Sequence, residues 1–80
     1  MDHRQAVKEL TIMLIYLTSW TEKDFYNFQR AWKGYDFDIL NELEDEGAIS
    51  GSKRSKSVVM HEEGIKMAKE LLQRYGLEIN

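Results

Sequence analysis

The sequence predicts a single α+β domain of winged helix-turn-helix type, with three to four helices and a small antiparallel β-hairpin wing. Three observations within residues 36–74 predict it. An acidic amphipathic helix stops at Gly47, a short basic loop leads into the β-branched pair Val58 and Val59, and a last amphipathic helix opens on Glu62 and Glu63. At 80 residues the chain is read as one domain, 1–80, close to the size below which an uncross-linked core struggles to hold a fold.

The first helix is expected from about residue 2 to residue 17, because Val7, Leu10, Leu14 and Leu17 recur three and four apart. Ile12, Met13, Ile15 and Tyr16 widen that stripe until the second half of the helix is apolar nearly all round. Two readings fit this excess: a compact three-helix core covers it, or a homodimer is built on this helix. Ser19 and Thr21, with Glu22 and Asp24 three residues on, have capping-box spacing, which predicts a short helix carrying Phe25 and Phe28 inward. Seven of the nine aromatic residues fall within 20–37, and they are expected to form an aromatic wall at the centre of the core. An aromatic cage or base-stacking platform is the alternative reading of the same rings. Around Arg30 to Lys33 the chain is expected to make a brief strand that pairs with the later hairpin.

Asp36 reads as an N-cap, Phe37, Leu40 and Leu43 as the buried edge of the helix that follows, and Gly47 as its left-handed C-cap, closed by Ile49. Residues 51–57 form the wing loop and 57–60 a strand. The last helix starts near His61, buries Ile65, Ala68, Leu71, Leu72 and Tyr75, and ends at Gly76.

The net charge of −3 conceals a division along the chain. Residues 36–46 carry six acids and no base, whereas residues 50–60 carry Lys53, Arg54 and Lys56 and no acid. Cysteine and proline are both absent, which excludes disulfides and thiolate metal sites and argues against a disordered linker. The longest apolar run, 12–17, falls far short of the roughly 20 residues that span a bilayer. A soluble, cytoplasmic protein without membrane contact is therefore expected.

These patches rank the functions. A recognition helix needs bases and amides facing DNA, and the 36–46 helix offers Asn41 among its carboxylates, so ordinary major-groove reading is disfavoured. Lys53, Arg54 and Lys56 on the wing, joined by Arg30 and Lys33, remain the candidates for weak, salt-sensitive nucleic-acid contact. A solvated loop balancing the acidic helix is the plain alternative. The competing function is protein interaction through Asp38, Glu42 and Asp45 on the acidic helix, with a basic partner or a second copy. Enzyme activity is not expected. Asp36 and Asp38 are explained by the cap and helix dipole, neither His3 nor His61 has a nucleophile at motif spacing, and no glycine-rich phosphate loop is present. No cofactor, metal or small-molecule substrate is expected.

The run Trp32, Lys33, Gly34, Tyr35, Asp36, Phe37 and Asp38, followed by Lys56, Ser57 and Val58 and then Glu62, Glu63 and Gly64, resembles a family of small uncharacterised bacterial domains. The resemblance covers residues 30–72 and, more loosely, 16–20. It departs at His61, where the family pattern has a threonine cap. It implies a winged-helix-like domain with no assigned activity, and therefore an architecture without a mechanism.

Overall fold

Asp2 opens the first helix by accepting a hydrogen bond from the backbone N–H of Gln5 at 2.9 Å. In a computed structural model, which describes residues 2–23, 27–51 and 56–77, this helix is α1 (His3–Leu17). It is followed by β1 (Trp20–Lys23), β2 (Asn27–Trp32), α2 (Phe37–Asp45), β3 (Ile49–Ser50), β4 (Ser57–Met60) and α3 (Glu62–Arg74). The described residues thus form an α+β domain of three helices and one antiparallel sheet of four strands, ordered β1-β2-β4-β3.

The helix expected after Ser19 is instead the strand pair β1–β2. The hydroxyls that suggested a new cap are used elsewhere: Ser19 Oγ donates back to the Tyr16 carbonyl at 2.5 Å, and Thr21 Oγ1 bonds across the sheet to Gln29 at 3.0 Å. They finish α1 and stitch two strands, so no helix starts there. The expected strand at Arg30 to Lys33 does form, as the end of β2, and pairs with β4 in the register Ala31 to Val58 and Arg30 to Val59.

Among the described residues the core is aliphatic. Ile12, Ile15, Leu40, Leu43, Ile49 and Val58 are its largest fully buried side chains, joined by Met13, Ile39, Met60, Ala68, Leu71 and Leu72. Among the described residues the expected aromatic wall is not its centre: Trp32 and Phe37 are exposed and Trp20 and Tyr35 half-buried. Phe37 and Tyr75, expected on the buried edges of α2 and α3, are both exposed, because each stands at a helix end beyond the aliphatic core. Phe25, Tyr26 and the Phe28 side chain lie outside the described residues.

The rotation of α1 also differs from expectation. Ile12, Met13 and Ile15 face the core, and Leu10, Leu14 and Leu17 face outward. Polar pairing accounts for the rotation. Lys8 meets Glu42 and Glu46 of the α2 end at 3.2 and 2.5 Å, Arg4 meets Glu42 at 3.0 Å, and Glu9 accepts from Tyr75 at 2.7 Å. With both Lys8 and Glu9 held inward, the leucine stripe is turned to solvent.

Helix ends follow the sequence closely. The Asp36 carboxylate accepts from the N–H groups of Asp38 and Ile39 at 2.9 and 3.1 Å. Gly47 adopts φ +79°, and the N–H groups of Gly47 and Ala48 close onto the carbonyls of Glu44 and Leu43. The same closure recurs at Gly76 and Leu77 after α3. His61 makes no side-chain cap bond, leaving Glu62 and Glu63 to offset the dipole of α3. Gly64 permits a close approach: a Cβ there would lie 2.2 Å from the Ala48 carbonyl oxygen. No helix among the described residues is long and apolar enough to cross a membrane.

Candidate nucleic-acid interface

Directly opposed residues of an antiparallel pair share a face of the sheet. Ala31, Val58, Met60 and Ile49 form the buried face against the helices. The registers then put Trp20, Arg30, Val59 and Ser50 in one row of the other face, with Trp32 and Ser57 in a neighbouring row. Helices cover one side of the sheet, and the other presents rings and a guanidinium.

On that outer face Trp32 is 64% exposed, although it is one of the two largest apolar side chains in the protein. It leans on Trp20 with ring centroids 5.0 Å apart and planes tilted by 45°. The indole N–H of Trp20 donates to Glu22 at 3.1 Å, which fixes the inner ring of the pair. Arg30, opposite Trp20, donates from Nη1 to the Ser57 hydroxyl at 3.1 Å, so its side chain lies across β4 toward the row of Trp32. One wall of Trp32 is therefore supported, while most of its surface meets solvent.

Two further bases stand at the same end of the sheet. The Lys33 N–H donates to the Lys56 carbonyl at 3.2 Å, extending the β2–β4 ladder by one step and setting the two lysine backbones opposite each other. Lys33 Nζ lies 5.6 Å from the centroid of Phe37, in the geometry of a cation–π contact. Lys56 is exposed. Of the five expected nucleic-acid contacts, Arg30, Lys33 and Lys56 thus gather at one end of β2 and β4, whereas Lys53 and Arg54 lie outside the described residues.

The sequence reading missed Trp20 and Trp32 as a surface pair. A signal was present: the alternation of Trp20 with Glu22 and of Arg30 with Trp32, read with period two, puts each pair on one strand face.

The acidic helix divides its charges. Glu42 is held by Arg4 and Lys8, and the Lys8 hydrogen bond keeps its carboxyl below the usual range. Asp38 and Asp45 are exposed. Of the three expected protein-contact acids, Glu42 is thereby committed to tying α2 to α1.

A cleft of about 190 Å³ lies where α1 and α3 meet the end of α2, lined by Gln5, Lys8, Glu9, Glu46, Met67 and Arg74 among others. Hydrogen bonding by Gln5, then by Tyr75, holds the Glu9 carboxyl below its ordinary value, and the Glu46 hydrogen bond raises Lys8. These groups satisfy one another, so the cleft is a structural joint.

The fold and this face define a small α+β domain that presents paired tryptophans and Arg30 on an open sheet face, with Lys33 and Lys56 at the end of its central ladder. Residues 3–78 match the family described as Domain of unknown function (DUF6429), and the chain belongs to that family. It is also similar to an uncharacterised protein, y4hR, of Sinorhizobium fredii (strain NBRC 101917 / NGR234), with 30% identity over 69 residues, 85% of each chain. No solved structure matches it.

Proposed function

We propose that the protein binds nucleic acid on the outer sheet face, with Trp32 against an unpaired base, Arg30 along phosphates beside it, and Lys33 and Lys56 reaching the strand from the end of the β2–β4 ladder. The observation that carries this reading is the exposure of Trp32, braced by Trp20 beside Arg30. Base stacking on such a ring contributes about 1–3 kcal/mol per base and tolerates any sequence. A duplex hides its base faces, so the reading favours single strands over double strands.

The winged-helix element of the reading is retained in a restricted form. The order α2, β3, β4 and α3, with a basic stretch of sequence between β3 and β4, supports that element. Lys53 and Arg54 in that stretch would add phosphate contacts. The exposed Asp38 and Asp45 of α2 argue against insertion of that helix into a groove.

The test is fluorescence anisotropy of labelled single-stranded and duplex oligonucleotides over a range of salt. The reading requires tighter binding to the single strand, a log–log salt slope near that of about three released counterions, and loss of binding in Trp32→Ala. Absence of binding at low salt would overturn it. Exposed Asp38 and Asp45 would then make α2 the surface on which to seek a basic protein partner.

A further inference from the structure

We propose that two copies of the protein associate through the outer face of α1. Val7, Leu10, Leu14 and Leu17 follow a 3-4-3 spacing, the a/d rhythm of a helix that packs against another helix. Leu10, Leu14 and Leu17 are 56%, 47% and 39% exposed, while Val7 at the start of the stripe packs partly against the core. A seam of this spacing is ordinarily the buried one, and here it is turned outward.

Charge selects the occupant. No charged residue occurs from Leu10 to Leu17, and the charges before them are engaged elsewhere: Arg4 and Lys8 with α2, Glu9 with Tyr75. A membrane-bound helix would carry its lysines and arginines along the rim of the apolar face, and here Lys8 is turned into the protein, its side chain only 12% exposed. A neutral, heptad-spaced stripe is complementary to itself, so the occupant is a second copy of this chain. Two outer sheet faces are then held together, and weak contacts on each reinforce one another.

The experiment is sedimentation equilibrium from micromolar to submillimolar concentration on the wild type, Leu14→Glu, Leu10→Lys and Trp32→Ala, each checked for its helical signal by circular dichroism. The wild type and Trp32→Ala are expected to sediment as dimers. Leu14→Glu and Leu10→Lys should keep their helical signal and weaken the dimer by roughly 100-fold or more, because each substitution removes a leucine from both sides of the seam. A wild type that stays monomeric throughout overturns the proposal. So does a dimer that survives both leucine substitutions, or one that is lost in Trp32→Ala instead.

Discussion

The hydroxyl of Tyr75 donates to the Glu9 carboxylate at 2.7 Å, tying the residue after α3 to the middle of α1 across 66 positions of sequence. Gln5 donates to the other oxygen of the same carboxylate at 2.9 Å. Glu9 is buried, and an ionised carboxylate in that place needs such donors. Together with Lys8 against Glu42 and Glu46, it forms a polar joint where the three helices converge.

This joint sets the response to pH. Hydrogen bonds lower Glu9 and Glu42 from the ordinary 4.5, so their stabilisation is present above 4.5 and is lost as pH falls through the lowered values. Lys8 is raised from 10.5 by Glu46 and Tyr75 from 10.0 by Glu9, so theirs is present below those values and is lost as pH rises through the raised ones. Thermal unfolding followed across pH should show a plateau with a fall on each side. Tyr75→Phe removes one donor to Glu9 and the tyrosine titration itself, and it should flatten both falls. Identical profiles for the two proteins would refute the role of the pair.

Gly64 should tolerate no side chain. A Cβ 2.2 Å from the Ala48 oxygen forces α3 away from the turn that leads into β3, and that same oxygen accepts from the His61 N–H at 3.0 Å. Gly64→Ala is expected to cost about 1–3 kcal/mol despite the better helix propensity of alanine. Urea denaturation measures it, and a variant as stable as the wild type would contradict the packing described.

The Asp36 side chain caps the start of α2 and serves two N–H groups. Asp36→Ala should lower stability by about 1 kcal/mol, with Asp36→Asn recovering most of the loss. Chemical denaturation of the three proteins side by side is the check. Equal loss in both variants would show that charge near the helix start matters more than the hydrogen bonds.

Trp32→Ala separates surface chemistry from folding. The ring is mostly solvent-exposed, so the variant should unfold within about 0.5–1.5 kcal/mol of the wild type, the worth of its contact with Trp20. Its tryptophan emission should stop responding to single-stranded oligonucleotides while Arg30 and Lys56 remain in place. A large loss of stability would mean that the ring serves the fold instead.

The second half of the fold was readable because its signals are local. Asp36, Gly47, the valine pair and Gly76 act on neighbours within a few residues, and each does what its chemistry predicts. The first half was misread where the outcome depends on distant partners. Ser19 and Thr21 are chemically fit to open a helix, and only Gln29 and the end of α1 decide otherwise. The face of α1 turned inward is likewise decided by Glu42, Glu46 and Tyr75, which no periodicity within α1 can reveal. For the candidate interface, the bases were visible as a composition bias, but the meeting of Arg30, Lys33 and Lys56 at one end of β2 and β4 needed the β2–β4 register.

The strand order places the two middle strands, β2 and β4, far apart in sequence, while each outer strand is joined to its neighbour by a short connection. On a ribosome adding about 5–20 residues per second, β2 is made one to several seconds before β4. During that interval one edge of the β1–β2 pair has no strand beside it, and the hydrophobic residues meant for the helices have no sheet to rest on. The arrival of residues 57–60 completes the sheet, and α3, made after it, then packs onto α1. Truncations that end before β4 should be recovered as aggregates or degradation products, and those that retain it through α3 as folded protein.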